Sequence, residues 1–298
     1  MSFLERIHTA NRHDIRKFLP FCVAGVNVGY IKHTFAAELN RWPKVFAVDD
    51  REVRLAPALN TPDVAVETRS AAVAEVLRQL HEERVIPSWR DELYAVNRFF
   101  TEQPVLLMER AAIPLFGICG YGVHMNGFVR QEDDIRMWIG KRSSLKPVSP
   151  GKLDQLVAGG QPAGMSLREN MIKECKEEAN IPPELTARMK PVGAISYCLE
   201  TEQGLRPDVI YCFDLELPPE FVPVNNDGEV EAFYLWSMDR VIEVARDTDD
   251  FKFNCNLVVI DFLIRHGFIA PEDPDYLAII AGLVAREWAP AFRNRTIA

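Results

Sequence analysis

Long apolar stretches are missing from this chain of 298 residues. No run approaches the roughly 18 consecutive apolar residues of a membrane-spanning helix, so no membrane partner is expected. The start, MSFLERIHTANRHDIRKFL, scatters charges where a secretory signal carries its apolar block, which points to the cytoplasm. An excess of positive charge is also absent: 43 acidic side chains outnumber 34 basic ones, for a net charge of −9. A nucleic-acid surface needs clustered Lys and Arg against phosphates, so nucleic acid is not an expected partner. Cysteine is sparse. Cys22, Cys119, Cys175, Cys198, Cys212 and Cys255 never form a Cys-x-x-Cys pair, which argues against a zinc site and a disulfide framework. Most of them stand in apolar runs, as small buried hydrophobes do. Internal repeats and low-complexity segments are lacking too. What remains, 48% hydrophobic and 26% charged residues, is globular composition, at a length that favours two domains.

The first domain, residues 1–112, reads as mixed α and β without a chemical motif. Helical patterns run from Phe3 to Phe18 and from Thr68 to Glu83, the latter with Ala71, Ala72, Val76, Leu77 and Leu80 in one stripe. Lys44 to Val48 and Glu52 to Leu55 look like strands around Asp49 and Asp50. The stretch from Thr101 to Leu115, with Pro104 and Pro114, is the expected junction. From 113 to 298 the pattern becomes strand, strand, loop, helix, strand, strand. Tyr121 to Val129 is a strand candidate; Ile135 to Arg142 alternates Ile135, Met137 and Ile139 against Arg136 and Trp138. A short strand at Leu156 to Ala158 ends in Gly159-Gly160. Ser166 and Glu169 then form a capping box for a helix that Ile181-Pro182-Pro183 stops. Val192 to Leu199, Val209 to Leu217 and Glu231 to Trp236 follow as strands, and Asn256 to His266 and Tyr276 to Trp288 as helices.

The most informative segment is Lys173-Glu174-Cys175-Lys176-Glu177-Glu178. Glu174, Glu177 and Glu178 are spaced i, i+3, i+4, which puts three carboxylates on one helical face, while Met171, Ile172, Cys175 and Ala179 fill the adjacent arc. Like charges at this spacing cost roughly 0.2–0.5 kcal/mol per pair when exposed. A divalent cation turns that cost into affinity, and hard ions such as magnesium take carboxylate oxygens while bridging to substrate phosphates. The alternative is a solvated face, with Lys173–Glu177 and Asn170–Glu174 as ordinary i, i+4 pairs. In favour of the cation is the approach: strand, Gly-Gly, a loop with Pro162 and Gly164, then a helix start that favours anions.

The segment from Gly159 to Ile181 resembles the Nudix box, G-x5-E-x7-R-E-U-x-E-E-x-G-U with U aliphatic. It has Gly159, Met165 for the first Glu, Lys173 for Arg, then Glu174, Cys175, Glu177, Glu178, Asn180 for Gly, and Ile181. The resemblance implies an α+β Nudix fold, a mixed β-sheet sandwiched between helices, here preceded by a small α+β domain. The strings ERAAIPLFGICGYGVHMNGFV, WIGKRSSLKPVSPGKLDQLVAGG, ENMIKECKEEA, CFDLELPPEFVPVNNDGEVEAF and VVIDFLIRHG are similar to a Nudix branch found in plants, fungi and bacteria. Members carry a short N-terminal domain of formerly unknown function and are often labelled as related to thiamine pyrophosphokinase; Lys for Arg and an apolar residue for the first Glu are usual there. The likeness runs from Glu109 to Gly267 and is weaker in the first domain.

The resemblance implies hydrolysis of a diphosphate linkage by water attacking one phosphorus in line, with Mg2+ or Mn2+ as cofactor. Carried over by position, Glu174, Glu177 and Glu178 with the Gly159 carbonyl would hold the metal, and Lys173 would neutralise and orient Glu174 without the two-pronged contact of an arginine. Glu231, or else Glu229, would add a carboxylate from the next strand; alternation puts both on one face, and Glu231 lies closer to the strand body. Lys141 and Arg142, with Gly160, are the candidate phosphate contacts, and Tyr121 and His124 the candidate walls for the organic half. The branch implies thiamine diphosphate, or its oxidised oxo and oxy analogues, as the small-molecule substrate. Another nucleoside-diphosphate compound (a sugar, NADH or coenzyme A) and a non-catalytic binding module are the alternatives. The added domain either shapes one pocket wall or mediates contacts in a homodimer.

Overall fold

The computed structural model describes residues 2–284 other than 133 and 147. Its strands, in chain order, are β1 (Phe18–Val23), β2 (Val26–Lys32), β3 (Phe46–Val48), β4 (Val53–Leu55), β5 (Leu93–Val96), β6 (Leu106–Glu109), β7 (Gly120–Gln131), β8 (Asp134–Arg142), β9 (Leu153–Asp154), β10 (Val157–Gly160), β11 (Lys190–Glu200), β12 (Leu205–Glu216) and β13 (Val230–Ser237). The helices are α1 (Phe3–Ala10), α2 (His33–Leu39), α3 (Val66–Glu82), α4 (Ile113–Phe116), α5 (Leu167–Ala179), α6 (Pro183–Thr186), α7 (Met238–Asp247), α8 (Phe253–Arg265) and α9 (Tyr276–Gly282).

The first helix is shorter than the Phe3 to Phe18 pattern suggests. A Ser2/Glu5 capping box starts α1, but Asn11 takes the C-cap and turns its Nδ2 onto the Ile7 carbonyl (3.0 Å). Asp14 then caps a 3-10 turn, and Phe18 opens β1. Short polar side chains that bond their own backbone outcompete an apolar spacing that continues by coincidence. The second helix holds, with a rotated stripe: Val73, Val76, Leu77 and Leu80 are buried while Ala71 is exposed. Arg69 is buried on the same side and donates to the carbonyls of Leu59, Thr61 and Val105.

Two cores result. The sheet β2-β1-β4-β3, with β1 and β4 parallel, packs Phe21, Ile31 and Phe46 against Leu77 and Leu80 of α3 and Phe116 of α4. The larger sheet runs β11-β12-β7-β8-β13, with β10 on β7, β9 on β8, and β12 parallel to β7. One face buries Met137 and Ile139 against α1, α7 and α8; the other buries Val123, Met125 and Trp138 against Met171 and Cys175 of α5. Trp138, grouped with Arg136 by alternation, is therefore core, because this strand is covered on both sides. This is the mixed sheet sandwiched between helices that the box implies.

At the N-terminus, Ile7 and Ala10 belong to the second core although they precede the first sheet, and a Cβ on Gly282 of α9 would strike Ile7. Of the final helix, Tyr276–Gly282 is observed, and residues 285–288 lie outside the described residues. Strands β1, β2, β5, β6 and β9 and helices α2, α4, α6 and α7 have no counterpart among the patterns expected from the sequence.

Candidate active site

Helix α5 is set by the Ser166/Glu169 capping box (3.2 and 2.9 Å) at one end and by Asn180 at φ +50° at the other. Its inward face carries Asn170, Met171, Glu174, Cys175 and Glu178 toward β10 and β7. Glu178 is 6% exposed, and its Oε2 accepts the Ala158 N–H at 2.8 Å. Burial pushes this carboxyl well above the usual range; Asp154, Glu174 and Glu229 push the same way, against the Ala158 N–H. Glu174, 13% exposed, is also raised, by burial first and then by Glu177 and Glu229, against Lys173. Glu177 is on the open rim at 47%.

The Gly-Gly pair lies inside β10, opposite Val123 and Gly122 of β7, where the strand was expected to stop at Ala158. Neither glycine has room for a Cβ while the side chains over it stay where they are. A Cβ on Gly159 would lie 2.4 Å from Glu174 Cδ, and one on Gly160 would lie 1.8 Å from the Tyr94 hydroxyl. Asn170 is fully buried and not part of a solvated pair; its Nδ2 donates to Gly160 O (2.8 Å) and to Gln161 Oε1 (3.0 Å). Lys173 binds Glu174 at 2.9 Å and Glu177 at 3.3 Å, so one cation serves two carboxylates.

Downstream, the alternation argument for Glu229 and Glu231 fails at a bulge. Pairing of β13 with β8 shifts between Val230 and Ala232, and Glu231 turns outward, 46% exposed, to bind Lys141 at 2.9 Å. Glu229, paired with Lys146, is the one whose charge reaches Glu174 and Glu178. Arg142 is not presented to a phosphate: it binds Asp154 (2.7 Å) and the carbonyls of Ser149 and Val148, with 12% and 8% exposure for the ion pair. His124 points into the same buried region. Its Nδ1 meets Gln155 Oε1 at 2.7 Å, and burial pushes its pKa down to about 4.

Among the described residues, the group of potential metal ligands within 4.8 Å of one another is His124, Asp154 and Cys255, not the helix glutamates. The widely spaced cysteines gave no hint of it. Asp154 is already held well below its usual range by Lys252, His124 and Arg142 despite its burial, and the Cys255 thiol lies 2.8 Å from it. That charge balance is the mark of a closed structural network. The glutamate face is the opposite case, with Glu174, Glu177, Glu178 and Glu229 sharing Lys173 and Lys146. Its all-oxygen donor set and repelling charges fit a hard divalent cation.

Tyr121 lies on the wall of a cavity of about 440 Å³ beside the box loop. That wall is shared with Tyr94, Phe100 and Leu107 of the first 112 residues and with Gln161 and Met165. Phe100 meets Tyr121 edge-on at 5.1 Å. None of these earlier residues was singled out from sequence, since scattered aromatics there carry no spacing.

A domain family described as "Domain of unknown function (DUF4743)" matches residues 2–120. Nudix hydrolase 20, chloroplastic, of Arabidopsis thaliana is 43% identical over 296 residues, covering 96% of this chain and 78% of the relative. The chain belongs to the Nudix hydrolase family. Nudix hydrolase 24, chloroplastic, of the same plant is 44% identical over 279 residues, 92% of this chain and 75% of the relative. The uncharacterized protein YJR142W of Saccharomyces cerevisiae is 36% identical over 216 residues, 67% of this chain and 62% of that protein. Among solved structures, a MutT/nudix family protein from Enterococcus faecalis aligns with 13% identity and a TM-score of 0.40, over 72% of this chain and 76% of that one. The NUDIX domain of Shewanella oneidensis NrtR complexed with ADP ribose aligns with 14% identity and a TM-score of 0.38, over 49% and 86%.

As a Nudix hydrolase, the chain departs from the box in ways its geometry explains. Asn180 adopts the left-handed conformation that the usual glycine serves, and Asn tolerates it better than most residues. Met165, in place of a glutamate, faces the cavity. Lys173 reaches the carboxylate beside it with a single ammonium. Among the described residues no helix is long and apolar enough to cross a membrane.

Proposed function

We propose that this Nudix hydrolase uses Mg2+ or Mn2+ to cleave the diphosphate of thiamine diphosphate or of its oxidised oxo and oxy analogues, releasing the monophosphate and phosphate. The observation that carries the hydrolytic reading is the pair Glu174 and Glu178, buried against Gly159 and the Ala158 N–H of β10 and raised in pKa first by burial and then by the carboxylates around them, Glu229 in both cases. Glu174, Glu177 and Glu178 with the Gly159 carbonyl hold the cation, and Glu229 is the better placed of the downstream carboxylates. Bound there, the cation supplies charge neutralisation at the diphosphate and acidifies water. Lys173 restrains Glu174, Asn170 fixes the Gly160 carbonyl, and the Ala158 N–H orients Glu178. The choice of thiamine rests on the branch resemblance, to which an aromatic-walled cavity is suited.

In this reading residues 113–298 form the hydrolase domain and residues 1–112 the added domain. The cytoplasm is the compartment that six free cysteines favour; "chloroplastic" belongs to the names of the plant relatives. Product formation is to be measured with Mg2+ or Mn2+: phosphate and monophosphate from thiamine diphosphate and its oxo and oxy forms, and the two phosphomonoesters from NDP-sugars, NADH and coenzyme A. Preferred turnover of a thiamine form is expected. Turnover of a dinucleotide alone would sink the thiamine assignment, and full activity in Glu178→Gln would remove the glutamate face from the reaction.

A further inference from the structure

The two glycines lie between the carboxylate face and Tyr94 of the cavity wall. Gly159 contacts Glu174; its neighbour Gly160 is covered by two side chains from the residues preceding the box. Tyr94 is one. Arg110 is the other, its Cζ and Nη2 each 3.0 Å from where a Gly160 Cβ would be. Arg110 also stands over the Tyr94 ring at 5.6 Å, and its Nη1 donates to Glu92 at 2.6 Å, with the side chain 44% exposed. Against the opposing cost of burial, Tyr94 and Glu92, and after them Glu174, raise the pKa of Arg110. The hairpin that carries these residues is pinned to the box loop by the Ala163 N–H on Leu93 O (2.9 Å).

The cavity's lining is of different chemistry. Tyr94, Phe100, Tyr121, Leu107 and Met165 give it flat and apolar walls, and the charged group among its described lining residues is Glu102, paired with Arg98 at 2.8 Å. Phe100 is braced by Tyr121 at 5.1 Å and Tyr211 at 5.3 Å, which presents its ring as a fixed platform. No cation among the described lining residues could neutralise a phosphate inside. The cations near the glutamates are each paired, Lys141 with Glu231, Lys146 with Glu229 and Arg142 with Asp154; Arg110 is paired through Nη1 with Glu92 and brings its Nη2 to Gly160.

We infer that this cavity receives the flat ring of the substrate, and that Arg110 contacts its diphosphate where it passes Gly160 toward the glutamate face. The inference rests on the diphosphate-hydrolase reading above. It assigns the residues before the box a direct part in the site: ring platform from Phe100 and phosphate contact from Arg110. It also sets a limit on substrates, since a second phosphate at the ring end meets apolar walls and Glu102 with no cation to pair with. Ring stacking and an arginine–phosphate contact are each worth a factor of roughly five to a hundred in affinity.

The test uses the full chain with Mg2+, the ring-bearing diphosphate that the substrate screen returns, and inorganic pyrophosphate as a ringless competitor. Phe100→Ala and the volume-keeping Phe100→Leu should raise KM about tenfold, leave kcat within a few-fold, and leave the pyrophosphate inhibition constant unchanged. Arg110→Gln should raise both KM and that inhibition constant about tenfold, with partial recovery in Arg110→Lys. Thermal unfolding of each variant separates these effects from misfolding, and the conservative variants carry the test if either truncation fails to fold. Unchanged KM in Phe100→Leu and Arg110→Gln overturns the inference while leaving the hydrolase reading intact. Failure of the unaltered chain to hydrolyse any diphosphate overturns both.

Discussion

Gly159 is pressed against Glu174, leaving no room for even a methyl group between the strand and the carboxylate. Gly159→Ala therefore has to displace β10 or swing Glu174 aside. A shift on the scale of an ångström at a catalytic group costs up to about 10²-fold in rate. A fall in kcat of at least tenfold with a loss of about 1–3 kcal/mol in stability is expected, read by steady-state kinetics and denaturant unfolding. Wild-type kcat in this variant would show that the close contact does not place the carboxylate.

Glu178 gives a pH signature in the absence of divalent cations. Its folded pKa lies above the unfolded one, so its favourable share of stability is full below the ordinary glutamate range and is lost as pH rises through the folded value. Glu178→Gln removes that loss. With EDTA at neutral pH the variant should melt above the unaltered chain, and Mg2+ should raise the melting temperature of the unaltered chain more than that of the variant. Equal responses to Mg2+ would place the cation elsewhere.

His124 works in the opposite direction. Its pKa falls from 6.5 to about 4, chiefly through burial, so the folded state keeps it neutral. The stabilisation is complete above pH 6.5 and is lost as pH falls through 4, amounting to about 3 kcal/mol at most. Unfolding free energies between pH 7 and 4 should show this slope, and His124→Asn should flatten it. A slope that survives the substitution would assign it to other groups.

Arg142 is expected to matter for folding rather than for phosphate. Arg142→Met leaves Asp154 buried beside fewer cations, at a cost of about 3–5 kcal/mol. In whatever fraction folds, KM for the substrate should stay within a few-fold of the original. A large rise in KM at unchanged stability would restore Arg142 as a phosphate contact.

The glutamate helix was legible because its cap, its carboxylate spacing and its stop are all local, and three residues at i, i+3, i+4 can share only one face. The strands of the larger sheet were legible for the same reason. Glu231 and Arg142 were not, because a bulge and a distant aspartate decide them, and neither leaves a mark in nearby residues. The cavity wall was hidden more deeply: Tyr94, Phe100 and Arg110 acquire meaning only when β5 and β6 dock on the box loop. His124, Asp154 and Cys255 are likewise drawn together by the fold across more than a hundred residues of chain.

The packing of α1 bears on how that wall moves. Ile7 and Ala10 are built into the second core, and the chain then runs through the first sheet and α4, which packs with it, before returning at β7. The first sheet is thus a loop fastened at both of its ends, more like an insertion than an appendage. A segment joined at one point swings as a lid; one joined at two resists opening, so Tyr94, Phe100 and Leu107 stand as a fixed side of the cavity.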